Sequence, residues 1–190
     1  MNQDRLQFRE SFILQLDFQK AFERVRHHFL KQQLQQIFVP STIINAIMLI
    51  VSQQQGQVCI NDFLCSTFSI SQGLRQGDPP SPLSFALVMD PLNRTVSSSL
   101  EGINTEDGQV RMKMILMADD VIATIADEKD ATKFHNLISG FEKISNLKLN
   151  PTKSTAYGTT WAQNAIIKNW DIMIKSTTDD TFIYLGTPPE

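Results

Sequence analysis

Phe12-Ile13-Leu14-Gln15-Leu16 is an apolar run of strand length, and behind it Phe22, Val25, Phe29, Leu30, Leu34 and Ile37 recur at helical spacing. A strand feeding a helix is predicted. Pro40 stops that helix, and Ser41 is placed to cap a second one in which Ile44, Ile47, Met48 and Val51 share a face. Around an Asn61-Asp62 turn signal, Val58-Cys59-Ile60 and Phe68-Ser69-Ile70 predict a hairpin, after which Gly and Pro punctuate a loop from Gln72 to Pro82. Leu83, Leu87, Leu92, Val96 and Leu100 predict a helix starting at Ser81, which Pro91 should kink because proline has no N–H for the helix ladder. Val110, Met112, Met114 and Leu116 alternate with Arg111, Lys113 and Ile115 in a largely strand-like pattern, and Val121 to Ala126 is a second apolar run. Asp119 and Asp120 therefore fall at a hairpin tip. Asp127 is placed to cap a helix whose face is Ala131, Phe134, Leu137, Ile138, Phe141 and Ile144. Short strand signals follow at Leu147-Lys148-Leu149 and at Phe182-Ile183-Tyr184-Leu185.

This order of elements suits an α+β sheet with helices on one face. At 190 residues and 42% hydrophobic content, one sizeable core is expected, with little room for a second, so residues 1–190 read as a single domain. The longest apolar stretch, Ile43 to Val51 broken by Asn45, falls well short of the roughly 20 residues of a membrane span. The opening MNQDRLQFRE mixes both charge signs and has no apolar block, which points to an intracellular protein, cytoplasmic or nuclear. Cys59 and Cys65 are too few for a disulfide framework or a thiolate zinc site and read as buried reduced thiols. His27, His28 and His135 lack ligand spacing and read as surface or packing residues. The net charge of −3 argues against a large basic surface for nucleic acid.

Candidate chemistry lies with the aspartates. Asp17 follows one apolar strand while Asp119 and Asp120 lie between two others, so neighbouring strands could gather the carboxylates at one sheet edge. Such a cluster repels itself unless cations neutralise it, and hard oxygen ligands select Mg²⁺. Spacing alone leaves the alternative open that Asp17 caps a helix and Asp119-Asp120 is a polar turn.

The segments LQLDFQKAFERV, SQGLRQGDPPSPLSFALVMDPL, MADD, LKLNPTKS and FIYLG occur in this order. Together they resemble a reverse transcriptase, in particular that of non-LTR, LINE-like retrotransposons, from about Phe12 to Gly186. The middle segment, with Gln76-Gly77 and Ser81-Pro82 at fixed spacing, is the most specific; Ala118-Asp119-Asp120 alone is weak. The resemblance implies a polymerase palm, an antiparallel sheet with helices packed on one face, with partial fingers and no thumb. It also implies an RNA-directed DNA polymerase that uses an RNA template, a DNA primer and deoxynucleoside triphosphates.

By this resemblance Asp17 and Asp119 are the principal ligands of two Mg²⁺ ions, replaceable by Mn²⁺, with Asp120 supporting them. Phe22, which periodicity alone reads as core, would lie under the incoming sugar and exclude a 2′-hydroxyl. Gly73, Gln76 and Gly77 would admit template and nucleotide to the backbone, with Gln76 as polar contact. Lys153, otherwise a solvated surface lysine, would neutralise or protonate departing pyrophosphate. Tyr184, Leu185 and Gly186 match the turn that holds the primer end.

The chain departs from the family at Met117, where an aromatic residue usually precedes Ala-Asp-Asp. In relatives, basic fingers segments precede the first aspartate by far more than the 16 residues present here, and a thumb and an endonuclease are not recognisable. Those missing segments are where relatives place much of their basic surface, which answers the charge objection. Two other readings follow: a catalytically inactive remnant that binds RNA or a protein, and a nucleotide cyclase, for which the Gln76-Gly77 to Ser81-Pro82 loop and Lys153 are not expected.

Overall fold

Phe12, Leu14 and Leu16 are buried while Ile13 and Gln15 are half-buried, so the first strand, β1 (Phe12–Leu16), shows the alternation of a strand with one face on a core. A computed structural model describes residues 11–104, 111–158, 170 and 172–176. After β1 come the helices α1 (Ala21–Arg24), α2 (His27–Gln36) and α3 (Ser41–Ser52). Four short strands follow, β2 (Gln55–Gly56), β3 (Cys59–Ile60), β4 (Phe63–Leu64) and β5 (Phe68–Ser69), and then α4 (Ser81–Ser99). The remainder is β6 (Ile103–Asn104), β7 (Arg111–Met112), β8 (Met114–Met117), β9 (Asp120–Ile125), α5 (Glu128–Ser145), β10 (Thr155–Gly158) and β11 (Met173–Ser176). Contacts divide the chain into two compact units: Met1–Gln19 with Leu92–Glu142 and Lys148–Glu190, and Lys20–Pro91 with Lys143–Leu147.

The first unit is built on a five-stranded sheet in the order β11-β10-β1-β9-β8. Leu14 stands between Ala123 and Ala156, and Leu16 opposite Val121, so these buried residues share one face. Ile13, Gln15, Ile122, Thr124 and Tyr157 occupy the other, where the Tyr157 hydroxyl donates to Gln15 Oε1 at 3.3 Å. Ile122 and Thr124 are buried as well, so both faces of β9 are covered. The sheet is antiparallel except at its edge, where β11 pairs parallel with β10. It is therefore a mixed sheet, because β11 returns to the β10 edge in the same direction. Asp127 caps α5 as expected, its Oδ1 accepting the Asp130 N–H at 2.8 Å. The strand expected at Leu147–Leu149 is reduced to a bridge between Phe18 and Leu149, and the strand that pairs with β1 on the side away from β9 is Thr155–Gly158.

In the second unit the expected helix over Phe22 to Ile37 is broken between α1 and α2, where Val25 and Arg26 are extended. Their backbone groups are used elsewhere: the Val25 carbonyl accepts the Gly73 N–H at 2.8 Å and the Arg26 N–H donates to the Ser145 carbonyl at 3.3 Å. Pro40, not Ser41, occupies the cap position of α3, and no side chain caps it; the Pro40 carbonyl accepts the N–H groups of Ile43 and Ile44. Asn61 and Asp62 both adopt positive φ, 50° and 66°, which makes the two-residue turn of a tight hairpin. That turn joins β3 to β4, whereas Phe68–Ser69 pairs with Gln55–Gly56, so the expected hairpin is two nested ladders. Strands of two residues have no sheet beneath them, and Cys59 and Cys65 are free but exposed, contrary to the expected burial. Among the described residues no helix is long and apolar enough to cross a membrane. Val110 and the Phe182–Leu185 segment lie outside the described residues.

Candidate active site

The register of the central strands sets the geometry of the acidic residues. β1 and β9 run antiparallel, and their ladder ends with Leu16 opposite Val121, so Asp17 and Asp120 are the next residues beyond its last pair. Asp120 in turn pairs with Met117 of β8. Since the pleat alternates, this row belongs to the face of Gln15 and Ile122, away from the packed Leu14 and Leu16. Ala118 and Asp119 form the tip of the β8–β9 hairpin, and Ala118 alone of these two takes a positive φ, 53°, the II′ pattern that normally calls for glycine. Asp17, Asp119 and Asp120 are all partly open to solvent.

The effect of this crowding is seen at Asp120. Burial first, then the negative charges of Asp119 and Asp17, hold the Asp120 carboxyl above the usual aspartate range. Among the described residues, however, no three His, Cys, Asp or Glu side chains converge closely enough to hold a metal ion.

Asp17 does not cap a helix; the residue in the cap position of α1 is Lys20. Instead Asp17 is tied to the turn from Asn150 to Ser154. Its N–H donates to Ser154 Oγ at 3.1 Å, its carbonyl accepts the Asn150 N–H at 2.8 Å, and its Oδ2 accepts from Asn150 Nδ2 at 3.0 Å. Lys153 rides on this turn with its side chain exposed. Neither Asn150 nor Ser154 was singled out by sequence reasoning, although Asn-Pro followed by Thr and Ser is a turn signal. Asp130 was missed too: its fully buried carboxylate accepts the Glu101 N–H at 3.0 and 3.1 Å and the Gly102 N–H at 3.0 Å. In the sequence it looks like one more acid in a first helical turn.

Phe22, Gly73, Gln76 and Gly77 belong to the second unit. Phe22 is half-buried and stacks on the buried Phe85, with ring centroids 4.6 Å apart and planes 12° from parallel. Gly73 is buried, has φ 95°, and a Cβ there would stand 2.8 Å from the Glu23 carbonyl oxygen, so a close backbone approach requires this glycine. Gly77 also has positive φ, 93°, but nothing lies within 4 Å of its Cβ position, and Gln76 beside it is exposed. His27 is buried with Nε2 2.7 Å from the Gly73 carbonyl oxygen, a packing role. Tyr184, Leu185 and Gly186 lie outside the described residues.

A family model described as reverse transcriptase (RNA-dependent DNA polymerase) matches residues 3–188. The Transposon TX1 uncharacterized 149 kDa protein of Xenopus laevis is 27% identical over 142 residues, covering 75% of this chain and 11% of its own length. The Retrovirus-related Pol polyprotein from type-2 retrotransposable element R2DM of Drosophila melanogaster is 28% identical over 153 residues, 80% of this chain and 14% of that protein. A Pol polyprotein from type-1 retrotransposable element R2 of Popillia japonica is 25% identical over 185 residues, 92% of this chain and 26% of its own. The chain thus spans about a quarter or less of these relatives. Among solved structures, telomerase from Candida albicans superposes with a TM-score of 0.63 at 13% identity, covering 80% of this chain and 27% of that one. Apo telomerase from Candida tropicalis, truncated from its C-terminal domain, gives 0.62 at 15%, covering 79% and 31%. The mixed α+β fold, with small antiparallel ladders and helices, is shared with these proteins.

Proposed function

Because the chain belongs to the reverse transcriptase (RNA-dependent DNA polymerase) family, matched over residues 3–188, we propose that it is the palm of an RNA-directed DNA polymerase. It extends a DNA primer on an RNA template by two-metal nucleotidyl transfer, within a non-LTR retrotransposon protein acting in the cytoplasm or nucleus. On this reading the five-stranded sheet is the palm, and the Lys20–Pro91 unit carries part of the fingers.

The observation that supports the reading is that Asp17 and Asp120 follow directly on the last pair of the β1–β9 ladder beside the Asp119 tip, with the charges of Asp119 and Asp17 acting on the Asp120 carboxyl. The donor set fits a hard divalent cation: oxygen ligands only, partly solvated, and short of positive charge. Mg²⁺ is ordinarily held by one or two carboxylates plus substrate phosphates and not by an all-protein cage, so three converging ligands are not required. Asp17 and Asp119 would hold two Mg²⁺ or Mn²⁺ ions, with Asp120 adjoining. When bound, the ions lower the pKa of the attacking 3′-hydroxyl and stabilise the leaving oxygen.

The remaining work falls to this chain's own residues. The Asn150–Ser154 turn fixes Asp17, and Lys153 supplies charge or a proton to departing pyrophosphate. Phe22, braced by Phe85, sets its ring under the deoxyribose and leaves no room for a 2′-hydroxyl. Gly77 and Gln76 admit and contact the template strand, and Gly73 shapes the loop that presents them. Met117, opposite Asp120, lies beside the primer terminus. Tyr184, Leu185 and Gly186 hold the primer end.

The test is primer extension on an RNA template with Mg²⁺ or Mn²⁺, comparing the chain with Asp119→Ala. Loss of a metal ligand worth several kcal/mol of transition-state stabilisation should slow extension by roughly 10³-fold or more. A non-catalytic remnant that binds RNA or protein is favoured by one observation, the lack of three converging ligands among the described residues. Equal inertness of wild type and Asp119→Ala decides for that remnant.

A further inference from the structure

Asp17 is held by a single five-residue turn through both its backbone and its side chain. The Asp17 N–H donates to Ser154 Oγ at 3.1 Å, and the Asp17 carbonyl accepts the Asn150 N–H at 2.8 Å. Asn150 Nδ2 reaches the carboxylate itself, donating to Oδ2 at 3.0 Å. The turn is closed from within, since the Lys153 and Ser154 N–H groups both donate to the Asn150 carbonyl, at 3.2 and 2.9 Å. Ser154 is fully buried, so the hydroxyl that receives the Asp17 N–H sits on a fixed support.

The orientation of the Asn150 amide is settled by Asp17, because an ionised carboxylate only accepts. The NH₂ end must therefore face Asp17, which leaves the oxygen end for the Thr152 hydroxyl, and that hydroxyl donates to it at 2.8 Å and steadies the amide. The carboxylate therefore receives a donor along one oxygen, while its second oxygen takes no hydrogen bond among the described residues. The donor is also neutral. A lysine or arginine here would form an ion pair and compete with a cation for the same charge, whereas an amide fixes the carboxylate's rotation and leaves its negative charge available.

We infer that Asn150 is a positioning residue for the Asp17 carboxylate, with Thr152 steadying its amide, and that it raises the affinity of that carboxylate for a divalent cation. The inference rests on the metal-site reading of Asp17 proposed above. It also explains why Lys153 and Asp17 are linked: one turn carries the lysine and clamps the aspartate, so both take their places together.

The test uses the full chain and Mn²⁺ alone, with binding followed by the electron paramagnetic resonance signal of free Mn²⁺ and folding by thermal melting. Loss of an outer partner of a ligating carboxylate typically weakens metal binding by about 10–100-fold. Asn150→Ala should do so, and Thr152→Val, which leaves the donor but frees the amide to rotate, should weaken binding by a smaller factor while melting close to wild type. A purely structural turn predicts the reverse pattern, a lowered melting temperature with Mn²⁺ affinity within twofold of wild type for both variants, and that result overturns the inference. Asp17→Asn separates the two readings. If Asp17→Asn loses Mn²⁺ binding but Asn150→Ala and Thr152→Val keep it, the positioning role fails and the metal site stands. If wild type binds no Mn²⁺, or Asp17→Asn binds as wild type does, both fail.

Discussion

Asp17 and Asp120 are the residues next beyond Leu16 and Val121, the last pair of the ladder between the first strand and the strand leading from the hairpin tip, and the charge of Asp17 acts on the Asp120 carboxyl. Two carboxylates so placed, with Asp119 at the adjacent tip, cost the metal-free fold stability. An ordinary aspartate titrates near 3.8, and Asp120 is held above that value by burial and by its two acidic neighbours. Below about pH 3.8 both folded and unfolded chains carry the proton and no penalty arises. As pH rises through the window between the ordinary and the raised pKa, the unfolded chain releases its proton first, and ionisation then favours unfolding. With chelator present, Asp120→Asn is therefore expected to melt above wild type at pH 7 and level with it at pH 3. Equal melting at both pH values would remove the carboxylate repulsion from the account of this site.

The hairpin tip carries a second strain. Ala118 sits at φ 53°, a left-handed conformation that costs an ordinary residue roughly 1–2 kcal/mol and glycine almost nothing. Ala118→Gly should raise the free energy of unfolding by about 0.5–1 kcal/mol, part of the relief being offset by glycine's larger unfolded-state entropy. Ala118→Val should lower it by about 1 kcal/mol or more, because a β-branched residue is a genuine outlier at positive φ. Urea midpoints measure both. A glycine variant less stable than wild type would show the tip to be unstrained.

Most of the sheet was legible because its strands carry simple signals. Phe12, Leu14 and Leu16 alternate with Ile13 and Gln15, and Val121 to Ile125 is apolar but for Thr124, as befits a central strand buried on both faces. The hairpin tip followed from the two runs that flank it. What the sequence concealed depends on partners distant in the chain. The break at Val25-Arg26 is invisible in a pattern whose apolar spacing continues through it, since the cause lies at Gly73 and Ser145. The clamp on Asp17 pairs residues 133 positions apart, and the polar Asn150 gives no periodic signal of that role. Cys59 and Cys65 looked like core residues because cysteine usually is one, but Cys59 lies in a strand of two residues and Cys65 just past another, and both are exposed.

Asp130 is a structural acid and should behave as one. Its carboxylate is fully buried and accepts the backbone N–H groups of Glu101 and Gly102, which follow the long helix Ser81–Ser99. Lys133, one turn on, approaches within 3.8 Å. Removing the carboxylate leaves those N–H groups without their acceptor, so Asp130→Ala should cost about 2–3 kcal/mol. Asp130→Asn, which keeps one acceptor oxygen but turns a donor toward the N–H groups, should cost nearly as much. Chemical denaturation reads the loss, and Mn²⁺ affinity of the folded fraction should not change, since Asp130 is placed in no catalytic role.

Gly73 and Gly77 share positive φ, 95° and 93°, yet their surroundings separate them. At Gly73 a Cβ would lie 2.8 Å from the Glu23 carbonyl oxygen and 2.9 Å from the Glu23 Cα, and the same stretch is tied down by the Gly73 N–H to Val25 and the Leu74 N–H to Phe22. Backbone cannot move aside as a flexible side chain does. Gly73→Ala therefore adds overpacking of roughly 1–3 kcal/mol to a conformational cost of about 1 kcal/mol, a large fraction of a small protein's stability. At Gly77 no atom lies within 4 Å of the Cβ position, so Gly77→Ala carries the conformational cost alone, about 1 kcal/mol, and leaves the fold intact. If the open side of Gly77 faces the template, the added methyl group should instead appear in function, raising the KM for the primer–template hybrid more than it lowers kcat. Stability measured by urea, set beside steady-state extension kinetics, distinguishes the two glycines: Gly73→Ala fails by unfolding, and Gly77→Ala by losing its substrate while folded. A Gly77→Ala chain with unaltered KM and kcat would remove that glycine from the substrate surface.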